Sequence, residues 1–254
     1  MARSPLPPLA LAYHGVADVP LRQDPHGLLV RPQDLRRQIA KLRSWGYRLV
    51  SFGDLARLVA ASGAAGHAAL TFDDGLVDNF EALAPLLVQE GVTATVFVVS
   101  GWLGRAHRSV PWTRVMTETE LMELRATGVE IGAHSITHPD LSALSYEAAL
   151  DELAGSKKQL EAVLGEPVEV AAYPYGRANA ETVRACRAAG FLAACSASGH
   201  GSWSDPHYLP RQDMAKHSTI IGLRLKRDDR YEQLMRFKPA RAVLRLGRTV
   251  RGAP

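Results

Sequence analysis

Short apolar runs alternate along the chain with amphipathic stretches, and almost every apolar run ends in a polar or glycine cluster. Runs at Leu9–Tyr13, Arg48–Ser51, Ala68–Phe72, Thr93–Val99, Val129–Ala133, Val168–Ala172, Leu192–Ser196 and Tyr208–Arg211 predict strands. Several are apolar at every position, the pattern of a parallel sheet covered on both faces. Helices are predicted between them. Pro32 opens one that places Leu35, Ile39 and Leu42 on a single face and stops before Gly46. Others are predicted at Leu76–Glu90, at Glu118–Ala126 behind a Thr117/Glu120 capping box, at Ser145–Leu164 and at Ala180–Ala189. Alternation of this kind over 254 residues predicts one α/β domain, either a barrel or an open doubly wound sheet.

Composition agrees with an ordinary folded domain: 46% of residues are hydrophobic and 22% charged. Cys186 and Cys195 fit neither a zinc pattern nor a CxxC pair, and read as reduced core thiols. The N-terminal stretch, broken by Pro5, Pro7 and Pro8, makes a poor signal peptide, and a cytoplasmic location is expected. The net charge of +4 is uneven: ten basic and three acidic residues lie between Arg224 and Arg251, leaving the body acidic. Residues 1–217 are therefore read as the domain and 218–254 as a basic arm. The arm interleaves Leu234, Phe237, Val243, Leu244 and Leu246 with arginines, which suits either an anionic membrane surface or packing on the barrel. Nucleic acid is not an expected partner, since no binding motif accompanies the basic residues.

The chemistry gathers just past the strands. His14 follows the first, Asp73-Asp74 the third, His134 and His138 the fifth, Tyr173-Pro174-Tyr175-Gly176 the sixth, and Arg211 and Asp213 come after Tyr208–Pro210 at the end of the last. In a parallel barrel these points share one rim. The two histidines of HSITH reach the same side if the segment turns helically, and imidazoles suit zinc, cobalt or nickel. With an aspartate from another strand end they could form a two-histidine, one-carboxylate site with open positions. One carboxylate of the Asp73-Asp74 pair could then bind a cation while the other acts as a base. Alternatively, the Asp-Asp-Gly turn caps the following helix. Trp102, Trp112 and Trp203 read equally as sugar platforms or as loop packing, and the segment Gly101–Trp112 is the expected seat of selectivity.

TFDDG and HSITH, in this order, resemble the first two motifs of the polysaccharide deacetylases with a NodB-like domain, carbohydrate esterase family 4. AYPYG at Ala172–Gly176 and LPRQD at Leu209–Asp213 resemble segments of the subgroup that deacetylates exported poly-N-acetylglucosamine. The resemblance covers roughly Leu9 to Asp213. It implies a distorted (β/α)7-type barrel and a divalent metal, zinc above cobalt or nickel, held by Asp74, His134 and His138. It implies Asp73 as general base, a sugar site lined by Tyr173, Pro174, Tyr175 and Asp213, and the Tyr175 N–H as oxyanion donor. The substrate implied is an N-acetylglucosamine-containing glycan, with release of acetate. A related metal-dependent deformylase or amidase on another sugar or small amide, or a non-catalytic glycan-binding relative, would carry the same fold.

Two departures mark this chain. The arginine usual in the third motif is missing from Ala171-Ala172-Tyr173, and Arg211 is the candidate to replace it. The C-terminal Leu-x-Leu-His motif is also missing, while LAYH at Leu11–His14 resembles it at the other end of the chain, as in the circularly permuted exopolysaccharide subgroup. His14 is thus the candidate general acid, with His217 competing.

Overall fold

A computed structural model describes residues 5–20, 22–108, 110, 113–216, 218–228 and 230–231. Ten strands are formed among them: β1 (Leu9–Tyr13), β2 (Gly15–Val16), β3 (Leu29–Val30), β4 (Arg48–Val50), β5 (His67–Phe72), β6 (Thr95–Val98), β7 (Glu130–Ala133), β8 (Val170–Ala172), β9 (Ala193–Cys195) and β10 (Gln212–Asp213). The helices are α1 (Pro32–Trp45), α2 (Phe52–Ala60), α3 (Ala84–Glu90), α4 (Glu118–Ala126), α5 (Tyr146–Leu164), α6 (Ala180–Ala188) and α7 (Ile220–Arg227).

The main sheet is parallel throughout and runs β10-β1-β5-β6-β7-β8-β9, with β4 also on β5. It curls into a distorted (β/α) barrel. Both faces of β1, β6, β8 and β9 are buried, as is nearly all of β5, and the period of two is visible in what each residue touches. Leu9, Leu11 and Tyr13 join Leu35, Ile39 and Leu42 of α1 in the large core outside the sheet. Ala10, Ala69, Val170, Ala172, Ala193 and Cys195 form a smaller inner cluster with Phe97. Small residues dominate inside because the curled sheet leaves little room; a Cβ on Gly132 would stand 2.4 Å from the Phe97 ring.

Several elements differ from the sequence expectation. Helix α2, unpredicted, closes the N-terminal mouth of the barrel with Phe52 and Leu55 in the inner cluster. Its first amides are bound by side chains at the start of β6 and β7: Phe52 N–H donates to Thr95 Oγ1 at 2.8 Å and Gly53 N–H to Glu130 Oε2 at 2.9 Å. The helix predicted at Leu76–Glu90 is helical from Val77, but it widens into a π-turn at Asn79–Leu83 before running into α3. Pro85 accounts for the widened turn, since it lacks an N–H and its ring opposes the carbonyl of Glu81. The strand predicted at Tyr208–Arg211 splits its pairing instead. Leu209 exchanges backbone hydrogen bonds with β9, whereas Gln212–Asp213 pairs with β1. Pro210, which cannot donate, marks the break. The segment thus sews the first strand to the last and leaves Arg211 at the seam.

Helix α7 lies within the arm read as separate, yet Leu223 is fully buried in the outer core and Arg227 stacks on Trp45 at 4.5 Å. Most of the basic arm, His217 and Trp112 fall outside the described residues. No helix among the described residues is long and apolar enough to cross a membrane. Both cysteines are free and buried.

Candidate active site

Parity and register decide which side chains meet. In β1 the inward positions are Ala10 and Ala12, so the next is His14. In β5 they are Ala69 and Thr71, so the next is Asp73, and in β7 Gly132 is followed by His134. Tyr13 pairs with Phe72, and the Asp73 N–H donates to the Tyr13 carbonyl at 2.9 Å, which brings Asp73 level with His14. The rim residues therefore face a shared interior.

The turn after β5 then reverses sharply. Asp74 and Gly75 both have left-handed backbones, with φ of 71° and 74°. Aspartate and glycine are among the residues that tolerate this region best. The alternative of an Asp-Asp-Gly helix cap fails although helical structure begins at Val77, because both carboxylates turn elsewhere: Asp73 to Arg211 and Asp74 Oδ2 to His107.

His134 and His138 converge without a helix. Ser135 and His138 are left-handed (φ 63° and 59°), and Ser135 Oγ accepts the His138 N–H at 3.0 Å. Glu152 of α5 accepts the N–H groups of Ile136 and Thr137, and Gly101 donates to the Ile136 carbonyl. Non-glycine residues in this region carry strain that the surrounding contacts must hold, and such strain is concentrated here at Asp74, Ser135, His138, Tyr175 and Ser198.

Asp74, His134 and His138 present donor atoms all within 4.8 Å of one another. His134 Nδ1 lies 2.8 Å from the Ala172 carbonyl. A carbonyl only accepts, so Nδ1 holds the proton and Nε2 presents a lone pair. That Nε2 is 3.6 Å from Asp74 Oδ1, and His138 Nε2 is 3.5 Å from the same oxygen. Burial pushes the His138 imidazole down to about 4, so it is neutral at pH 7. Asp74 Oδ1 is buried without a hydrogen-bond partner. A buried carboxylate oxygen facing imidazole nitrogens, with no proton to share with His134, is costly unless a cation lies between them. The donor set fits a divalent metal of the zinc type, with three protein ligands and room for others.

Asp73 is bound differently. Arg211 Nη1 and Nη2 donate to Oδ1 and Oδ2 at 2.7 and 2.9 Å. The guanidinium is fully buried, and its Nε–H donates to the Ser196 carbonyl at 2.8 Å. Burial by itself would raise the Asp73 pKa, but the Arg211 charge outweighs it and holds the carboxyl below its usual range. Burial likewise opposes ionisation of Asp74, and a hydrogen bond from His107 together with His14, His134 and His138 reverses the balance.

A cavity of about 440 Å³ opens over these groups, with His14, Trp102, Tyr175, Ser198 and Asp213 in its wall. Tyr175 is 62% exposed, and its ring meets that of His138 edge-on at 4.7 Å. Asp213 holds the Ser198 N–H and hydroxyl. Tyr173 and Pro174, expected at the sugar site, do not line the cavity. Ala172 points inward, so strand parity turns Tyr173 outward into the core, where its hydroxyl donates to the His207 carbonyl at 2.7 Å. Pro174 is buried in the turn. Of the tryptophans, Trp102 lines the cavity, whereas Trp203 packs against the inner cluster.

Sequence reasoning missed His107. It lies in the loop after β6, buried, with Nε2 3.1 Å from Asp74 Oδ2. Its only sequence signal is a histidine in a loop that follows a strand, nine residues past the strand's end.

The polysaccharide deacetylase family matches residues 61–194, more than half of the chain, and includes both TFDDG and HSITH. The protein belongs to this family, and its barrel is the NodB-like fold. Among curated relatives, the Bacillus subtilis (strain 168) protein YxkH, whose name places it with polysaccharide deacetylases, is 32% identical over 122 residues, covering 48% of this chain and 41% of that one. The matches span less than half the length of the curated relatives. The solved structure of the Streptococcus pyogenes deacetylase PplD in complex with acetate superposes with a TM-score of 0.75 at 22% identity, covering 87% of this chain and 97% of that one. IcaB from Ammonifex degensii gives 0.69 at 20% identity, with coverages of 83% and 92%. These likenesses establish the fold.

Proposed function

We propose that the protein is a metal-dependent hydrolase that removes N-acetyl groups from an N-acetylglucosamine-containing glycan and releases acetate. The observation that carries this reading is the asymmetry of the aspartate pair. Asp74 Oδ1 faces His134 and His138 with no hydrogen-bond partner, while both oxygens of the adjacent Asp73 are gripped by Arg211.

Asp74, His134 and His138 would hold a divalent cation, zinc above cobalt or nickel, which supplies Lewis acidity toward the acetamide carbonyl. Asp73, kept ionised and aimed by Arg211, accepts a proton from the attacking water. The Tyr175 N–H donates to the oxyanion as the carbonyl carbon becomes tetrahedral. His14 delivers a proton to the amine nitrogen as the C–N bond breaks, leaving acetate and a free amino sugar. Trp102 and Tyr175 flank the cavity and offer apolar faces to a sugar ring, and Asp213 with Ser198 offers polar edges.

The test is acetate release from N-acetylglucosamine oligomers by the zinc-loaded protein, compared with protein treated with a chelator. Metal-dependent release is expected. Deacetylation that persists after metal removal sinks the metal reading; uptake of zinc with no release from any N-acetylated sugar sinks the substrate reading.

A further inference from the structure

Asp74 has two oxygens, and the structure treats them unequally. His107 is buried, and its ring is pinned on several sides. Val110 N–H donates to His107 Nδ1 at 3.0 Å, the His107 backbone N–H donates to the Thr113 carbonyl at 3.0 Å, and the ring stands edge-on to Trp102 at 5.4 Å and 84°. A ring nitrogen that accepts an amide hydrogen carries no proton. The ring proton must then sit on Nε2, which is 3.1 Å from Asp74 Oδ2. Oδ2 is thereby occupied as an acceptor, and Oδ1 is the oxygen left toward His134 and His138.

We infer that His107 is a positioning residue. It donates from Nε2 to Asp74 Oδ2, fixes the carboxylate rotation, and selects Oδ1 as a single-oxygen ligand for a divalent cation. The inference rests on the metal reading proposed above and goes beyond it, assigning to the loop after β6 a part in building the centre. Outer hydrogen bonds of this kind set ligand orientation and typically change metal affinity about 10–100-fold. Val110 is the second component, because its backbone N–H sets the tautomer from the far side of the ring.

The experiment compares zinc dissociation constants of the full chain, by competition with a chromophoric chelator, for wild type, His134→Ala, His107→Phe and His107→Gln. Phenylalanine fills the ring volume without a donor; glutamine restores an N–H near the Nε2 position. The expected result is binding by wild type, loss in His134→Ala, about 10–100-fold weakening in His107→Phe, and recovery to within several-fold in His107→Gln. Equal affinity in wild type and His107→Phe overturns the inference and leaves the metal reading intact. Failure of the wild type to bind zinc overturns both. Should His107→Phe not fold, ¹⁵N correlation spectra of the wild-type histidine rings decide the matter in the metal-free protein: a proton on Nε2 of His107 supports the inference, and a proton on Nδ1 overturns it.

Discussion

Arg211 and Asp73, 138 positions apart, form a two-pronged ion pair at the seam of the barrel, with the guanidinium wholly excluded from solvent. Removing one partner of a buried pair leaves an uncompensated charge, at a typical cost of about 3–5 kcal/mol. Arg211→Ala is expected to destabilise the fold on that scale in denaturant unfolding. Arg211→Lys keeps the charge but not the fork, and is expected to fold while losing most activity. Full activity in the lysine variant would show that aiming Asp73 needs no guanidinium.

Asp73→Asn preserves shape but removes the base. It is expected to bind zinc as wild type does and to lose about 10²–10⁴-fold in deacetylation rate. His134→Ala is expected to lose the metal itself. Metal content by atomic emission together with acetate release separates the two outcomes, and an active Asp73→Asn protein assigns the base elsewhere.

His14→Ala is expected to retain metal, since His14 stands outside the three-residue donor group, and to lose about 10²–10⁴-fold in rate. An amide whose amine leaves readily needs less protonation, so an activated acetanilide should be less affected than a sugar. An unchanged rate on the sugar moves the acid role to His217.

Stability should depend on pH through Asp78. Burial pushes its carboxyl up to about 6 from an ordinary 3.8, while Val16 N–H binds its Oδ2 and Oδ1 has no partner. The folded state holds this proton longer than the unfolded chain does. The stability contributed is full below about pH 4 and is lost as pH rises through 6. Asp78→Asn removes the ionisation and should gain on wild type, from nothing near pH 3.5 to about 3 kcal/mol at pH 7, as read by urea unfolding. His138 opposes this trend in wild type, since its imidazole is pushed down, so the difference between the two proteins is the quantity to follow. A difference constant with pH would remove Asp78 as the titrating group.

Much of this was legible in the chain. The strand cores announced themselves because both faces of a parallel sheet are buried and read as continuous apolar runs. Helices α1, α4, α5 and α6 were marked by local capping chemistry, such as the Thr117/Glu120 box, in which Thr117 Oγ1 and the Glu120 carboxylate each bind the other's backbone N–H. Asp73, Asp74, His134 and His138 stood out because ionisable groups cluster where apolar runs stop.

What sequence alone could not decide depends on direction and closure. Tyr173 and Tyr175 are two residues apart and look alike in sequence, yet strand parity buries the first and a left-handed turn exposes the second. Tyr208–Arg211 looked like an ordinary strand, because nothing local says that Pro210 divides its hydrogen bonds between β9 and β1. His107 carried almost no local signal; its relation to Asp74 exists only because the loop after β6 folds back over the turn after β5. Periodicity and capping are properties of neighbouring residues and are written in the chain, whereas the pairing of Arg211 with Asp73 and of His107 with Asp74 is made only when the sheet curls and its rim loops meet.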